Sequence, residues 1–301
     1  MTAVPSWLWI VFTVAASGAQ TARNAMQRDL IATLGTAGAT FVRFLFGLPF
    51  ALLFLALVSA ASGVAPPTPG PTSLLWTGFG GVSQILATGL MLAAMREKSF
   101  VVAIAYTKTE PVQVALFGLL FLGDRVTGGM AAAIAVATLG VMLMSWPKRS
   151  AEAAPTSWRA AVFGLVSAAM FAFSAIGYRA GILALGAPNF VLGASTILAL
   201  ALAIQSGLIV IGLALFDRAL LAGIFRAWRP SLLAGFMGAL ASQFWFLAFA
   251  IDTAARVRTL ALIEMIFAQV VTKKIFQQKT SPREIAGMAI MIAGVVILMW
   301  T

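Results

Sequence analysis

The sequence specifies an all-α transmembrane fold of ten helices, arranged as two inverted five-helix repeats. Three features say so: a composition too apolar for water, ten apolar runs of spanning length, and one offset at which the two halves align. Of 301 residues, 61% are hydrophobic and 10% charged, and the mean hydropathy is +0.99. A soluble domain carries about 25% charged residues. So few charges cannot cover a water-facing surface, and lipid must be the solvent for most of the exterior. The net charge of +11 comes from 20 Lys and Arg against 9 Asp and Glu. In a soluble protein that balance would suggest a nucleic-acid partner. Here the basic residues sit mostly in short gaps between apolar runs, where anionic headgroups and the positive-inside bias explain them, so no nucleic acid is expected. With no Cys and no His, disulfides, thiolate nucleophiles, His bases and the usual zinc sites are excluded. No metal or cofactor is expected.

A helix crosses the hydrocarbon core with about 20 apolar residues. Runs of that kind cover 6–22, 36–60, 72–94, 99–122, 128–146, 158–182, 188–216, 231–250, 257–276 and 283–300. The first lacks a basic leader and a convincing cleavage site, so it is expected to be retained as a helix. Between the second and third, Pro66-Pro67-Thr68-Pro69-Gly70-Pro71 cannot be helix interior and reads as a loop. The polar stretch 148–157, with Pro155, is the expected linker between a first repeat (1–147) and a second (158–301). Asp217-Arg218 and Arg226 to Pro230 bracket a further break. Gln277 to Pro282 reads as the last turn, with Pro282 at the first turn of the final helix.

Offsetting the chain by 154 residues aligns 106–146 with 260–300 without a gap. Glu110 then falls on Glu264, Gly140 on Gly294 and Trp146 on Trp300. Two five-helix halves must be inverted, because five is odd. That geometry gives a pseudo-two-fold axis in the membrane plane and a central site between halves.

Ala94-Met-Arg-Glu-Lys-Ser-Phe-Val-Val-Ala-Ile-Ala-Tyr-Thr-Lys-Thr-Glu-Pro-Val112, followed by Phe121-Leu-Gly-Asp-Arg-Val-Thr127, resembles the helix-three-to-five signature of the drug/metabolite transporter superfamily, EamA type. That signature has Glu-Pro in helix four and a Gly-Glu-Arg-x-Thr turn before helix five. Arg43, in Ala39-Thr-Phe-Val-Arg-Phe-Leu-Phe46, resembles the family's helix-two Arg. This chain departs in having Asp124 where Glu is usual, and Gln277-Gln278 in place of Gly-Glu in the second repeat. The resemblance implies a ten-helix transporter of amino acids, nucleobases, sugars or other metabolites, and not an enzyme. It implies a multi-pass protein of a bacterial-type inner membrane with a small-molecule substrate. Since the sequence has no ATP-binding motif, a proton or substrate gradient is the expected energy source, and a protonatable Glu in a desolvated site suits a proton.

Ionisable groups near the bilayer centre cost roughly 2.5–3.5 kcal/mol on insertion scales and are usually paired or face a wet cavity. Glu110 and Glu264 are therefore the leading site candidates, as carboxylates for a substrate ammonium or a coupling proton, or else as structural partners locking the halves. Glu110 precedes Pro111, and a pre-proline residue is pushed away from helical geometry. Lys108, two residues away, would point about 200° from Glu110 in a regular helix. It needs another partner, with Glu264 a candidate, or it snorkels. Tyr106 could orient substrate or simply pack. Arg43 could clamp a substrate carboxylate or hold a group such as Asp29. Gln84 and Gln243 could bond substrate or bridge helices. Seven tryptophans lie near span ends, as an interfacial belt would place them. Trp245 lies well inside its run, as a cavity wall or as lipid-facing packing.

One set of loops holds about fourteen of the Lys and Arg residues and the set that includes both termini about three. The positive-inside bias thus puts both termini outside, whereas the family expectation puts them inside. The favoured function is export of amino acids or related amphiphiles by alternating access. A membrane-embedded enzyme would need a carboxylate pair or a Ser–Lys dyad that the sequence does not display. A non-transporting receptor or scaffold competes with transport, and within transport nucleobases, sugars and drugs compete as substrates.

Overall fold

The computed structural model describes residues 5–96, 106–144, 158–267, 269–270 and 281–301. In chain order the helices are α1 (Leu8–Leu45), α2 (Leu48–Ser62), α3 (Pro71–Arg96), α4 (Glu110–Phe117), α5 (Gly128–Met144), α6 (Trp158–Leu185), α7 (Phe190–Phe216), α8 (Arg218–Arg226), α9 (Trp228–Ile251), α10 (Ala254–Leu260) and α11 (Pro282–Met299). Residues 264–267 and 269–270 are also helical. The expected linker, Trp146, Lys273-Lys274 and Gln277-Gln278 lie outside the described residues.

Local chemistry sets the helix ends. Asn189 caps α7 by accepting from the Leu192 amide at 2.7 Å, and Asp217 caps α8 by accepting from the Leu220 amide at 2.9 Å. Ser281 and Glu284 form a reciprocal capping box at α11, with Pro282 in its first turn. α1 is bent at Gly35, whose φ of 66° and ψ of 175° suit a residue without Cβ. Across that bend Gln27 Nε2 donates to the Ala39 carbonyl at 2.7 Å.

Among the described residues, six helical stretches are long and apolar enough to cross a membrane: Leu30–Ser62, Pro71–Ala94, Ala161–Leu185, Phe190–Phe216, Trp228–Ile251 and Pro282–Met299. The other four expected spans are not among them, and three of these, the fourth, fifth and ninth, run into residues outside the described part of the structure. The first is longer than expected, continuing through Arg23 and Gln27 towards Gly35, because polar side chains do not break a helix. The fourth is interrupted by a turn at Lys108-Thr109, where Pro111 lacks the amide proton that would continue the ladder. It then ends in a π turn over Gly118–Leu122. The fifth is helical from Gly128 to Met144, the last described residue there. The ninth changes to 3-10 geometry at Ala261–Ile263. α8 is an addition: the sequence between Asp217 and Pro230 reads as a break, yet Asp217 supplies a cap and the residues after it form a nine-residue helix.

The chain divides into two compact units, Met1–Val82 with Gly177–Asp252, and Ser83–Ile176 with Thr253–Thr301. Each draws on both halves of the sequence, and the division falls inside α3 and α6. In the first unit α1 packs on α9 through small residues. A methyl group at Gly235 would lie 2.6 Å from the Phe46 carbonyl oxygen. In the same unit Gly177 of α6 lies against the backbone of Gly80 in α3, where an added Cβ would sit 2.8 Å from the Gly80 Cα.

In the second unit α5 and α11 form an equally close pair. A Cβ on Gly140 would meet Met291, lying 2.8 Å from its Cα, and one on Gly294 would meet Ala137, 2.7 Å from its Cα. Gly140 and Gly294, like Ala137 and Met291, are related by the same 154-residue offset. Close backbone approach through small residues is how helices associate where lipid removes the hydrophobic drive. Gly140→Val should therefore lower stability by about 1–3 kcal/mol or more through overpacking. Gly89→Ala, where nothing lies within 4 Å of the added carbon, should leave it unchanged or slightly raised. Thermal unfolding of the two purified variants in one detergent checks the contrast.

Candidate functional site

The second unit carries a cluster of four charged side chains, built by two interrupted helices. On the first, Thr109 folds the turn back: its amide and its Oγ1 both donate to the Tyr106 carbonyl, at 3.2 and 2.7 Å. The turn separates Lys108 from Glu110, so each reaches a different partner. Glu110 receives Arg258 of α10 in a two-pronged contact, Nε to Oε1 at 2.6 Å and Nη2 to Oε2 at 2.8 Å. Lys108 Nζ pairs with Glu264, just past the 3-10 turn. The side chains of Glu110 and Arg258 are 12% and 19% exposed. Both carboxylates are thus neutralised, each by a cation from the other sequence half. The pairing resolves the expected difficulty over Lys108: it neither snorkels nor meets Glu110, and Glu264 is its partner.

Lys108, Glu110, Pro111, Arg258, Ala261, Leu262 and Glu264 line one small cavity of about 20 Å³. That is room for about one water molecule. The charged groups that bound it are engaged with one another, Arg258 with Glu110 and Lys108 with Glu264.

The remaining expected residues fall elsewhere. Tyr106 and Gln84 belong to the same unit but are not among the cavity's lining residues. Trp245, Gln243 and Arg43 belong to the first unit. The Trp245 Nε1 donates to Gln20 Oε1 at 3.3 Å and its ring is buried, so it does not face lipid. Gln243 Nε2 donates to Ser195 Oγ of α7 at 2.9 Å, a helix bridge. The Arg43 guanidinium lies 4.4 Å from the Phe44 ring centroid, and the side chain of Asp29, its suggested partner, lies outside the described part of the structure. Arg179 binds the carbonyls of Phe249, at 2.8 Å, and Asp252, closing the end of α9. A further buried network joins Gln205 Nε2 to the Tyr178 hydroxyl at 3.0 Å and to the Gly81 carbonyl at 3.3 Å.

Sequence reasoning missed Arg258, which counted only as a loop charge. The signal was present: the ninth apolar run begins at 257, so Arg258 stood inside a span and required a carboxylate partner.

The model of the EamA-like transporter family matches residues 6–146. That match, a little under half of the chain, is a likeness to a family of membrane transporters, and the long apolar helices agree with a multi-pass membrane protein. No protein with a curated description matches. The crystal structure of another protein matches with a TM-score of 0.69 at 12% identity, covering 98% of this chain and 97% of that one. At that identity the likeness shows the fold alone. The family match contains Lys108 and Glu110 and stops short of Arg258 and Glu264, so the second half of the charge cluster is known from the structure.

Removing one member of a buried pair leaves the other uncompensated, at about 3–5 kcal/mol, more than the intact pair contributes. Arg258→Gln should therefore be strongly destabilised. Adding Glu110→Gln to it should restore most of the loss, which a double-mutant cycle on thermal unfolding measures. Equal losses in the single and the double variant would mean that the pair is not formed.

Proposed function

We propose that this EamA-like protein is a secondary transporter of small metabolites that exports amino acids or related zwitterionic amphiphiles by alternating access. The observation that carries the reading is the pair of crossed ion pairs, Glu110 with Arg258 and Lys108 with Glu264, around a cavity too small for a ligand. A zwitterion can take both sides of such a cluster at once. Its ammonium replaces a cation at one carboxylate, and its carboxylate takes the released guanidinium or ammonium. No net charge is then buried in the apolar surroundings. A proton on Glu264 would release Lys108 in the same way, which is how coupling to a pH gradient would act.

The proposed architecture is two inverted five-helix repeats, 1–147 and 158–301. Support comes from the α5–α11 contact, in which residues related by the 154-residue offset meet reciprocally. The cross-pairing of Glu110 and Glu264 with cations of the opposite half is a second support. Tyr106, Gln84, Arg43, Gln243 and Trp245 are proposed as further substrate contacts in other states of the cycle. The loop charges favour a bacterial-type inner membrane with both termini outside. On this reading the chain is not an enzyme.

The test is flux of a labelled amino-acid, nucleobase and sugar panel in proteoliposomes, with and without a pH gradient. Amino-acid flux altered by the gradient is expected. Glu264→Gln should lose at least about tenfold of it, the factor given by ~1.4 kcal/mol of lost interaction, while the purified variant keeps its helical content. Gradient-driven flux at the wild-type rate in that variant would remove Glu264 from the mechanism. Flux confined to nucleobases or sugars would overturn the zwitterion assignment.

A further inference from the structure

α8 is not part of the charge cluster, and its two faces differ sharply. Its inner side is held in the first unit. Ile224 is fully buried and joins Leu30, Leu34, Val42, Phe46 and Ala234, with Leu220 packed against them. Its outer side carries Arg218, Ala222, Phe225 and Arg226, spaced so that they share one helical face, and all are exposed. The flanks continue the pattern. Phe216 is 89% exposed, Trp228 48% and Phe225 52%, and the Arg229 guanidinium lies 5.4 Å from the Trp228 ring centroid. Asp217, the one acidic residue between 207 and 251, is engaged in capping the helix. The surface is therefore cationic and aromatic together.

Chain continuity fixes where this surface lies. α7 has 27 residues, roughly 40 Å at 1.5 Å per residue, which exceeds a hydrocarbon core of about 30 Å. Its end at Phe216, and the start of α9 at Trp228, must reach the headgroup layer, and α8 joins them there. We propose that α8 with Arg229 and Trp228 is a docking surface for anionic phospholipid headgroups. The guanidinium groups of Arg218, Arg226 and Arg229 take the headgroup phosphates, for which their planar fork is suited. Phe216, Phe225 and Trp228 seat in the adjoining acyl boundary, as in basic amphipathic helices that lie in the membrane plane. The occupant is lipid rather than an acidic protein because the aromatic side chains flank the arginines at the end of two spans, where acyl chains and phosphates are present together. This inference needs only the membrane-spanning reading and is independent of what is transported.

The experiment uses the full chain reconstituted in phosphatidylcholine vesicles doped with brominated phosphatidylglycerol or, separately, brominated phosphatidylcholine. Trp228 quenching is isolated by subtracting the Trp228→Phe variant. Quenching by the anionic lipid should exceed that by the zwitterionic lipid by about fivefold or more, the factor expected from a single arginine near an anionic headgroup. It should fall to parity in an Arg218→Gln, Arg226→Gln, Arg229→Gln triple variant that retains wild-type thermal stability in neutral detergent. Equal quenching by both lipids in the wild type, or a preference that survives the triple variant, would overturn the proposal.

Discussion

A charge in an apolar span has no water to turn to, and that constraint organises the second unit. Four ionisable side chains sit on two helical segments that would otherwise read as ordinary spans. They are tolerated because every carboxylate meets a cation, Glu110 through the forked guanidinium of Arg258 and Glu264 through Lys108. The backbone is arranged to permit this. The turn at Lys108-Thr109 and the 3-10 segment at Ala261–Ile263 each interrupt a helix beside a charged residue. Irregular backbone at membrane depth is tolerated where it lies buried in protein or lines a cavity. Here it lines one.

Packing in the same unit follows a second constraint. Lipid supplies no hydrophobic drive to join helices, so contacts depend on how closely backbones can approach. Gly140, Gly287 and Gly294 bring α5 and α11 together at distances where any side chain would overlap the neighbouring backbone. Those contacts hold the two helices of the unit that also carries the charge cluster. The first unit combines such close contacts with hydrogen bonds between helices. Gln243 with Ser195, Gln205 with Tyr178 and Ser73 with the Gly181 carbonyl all bridge separate elements.

Much of this was legible in the residues, and what was not has identifiable causes. Pro and Gly clusters marked the loops because their backbone chemistry is local. The helix break at Glu110-Pro111 could be anticipated because proline acts on its immediate neighbours. Lys108 was known to need a distant partner, since its spacing from Glu110 rules out pairing on one helix. The partner itself is a tertiary fact. Arg258 was passed over because an arginine beside a span end looks like a loop charge until the fold brings Glu110 to it. α8 was read as a break because its two faces average to an unremarkable polarity. Only its packing on Ile224 and Leu220 separates a core side from a surface side. Trp245 was correctly placed deep in its helix, but its bond to Gln20 depends on α1 and α9 meeting.

If the ion pairs must part during transport, a tether across them should stop it. The chain has no Cys, so engineered thiols would be the only ones present. Thr109 lies between Lys108 and Glu110, and Ala261 midway between Arg258 and Glu264, so the two positions flank both pairs without removing a charge. Thr109→Cys with Ala261→Cys, bridged by a short bifunctional methanethiosulfonate, should lose flux in proteoliposomes and regain it on reduction. A bridged protein that transports at the unbridged rate would show that the cluster is a fixed brace and not the moving part of the site.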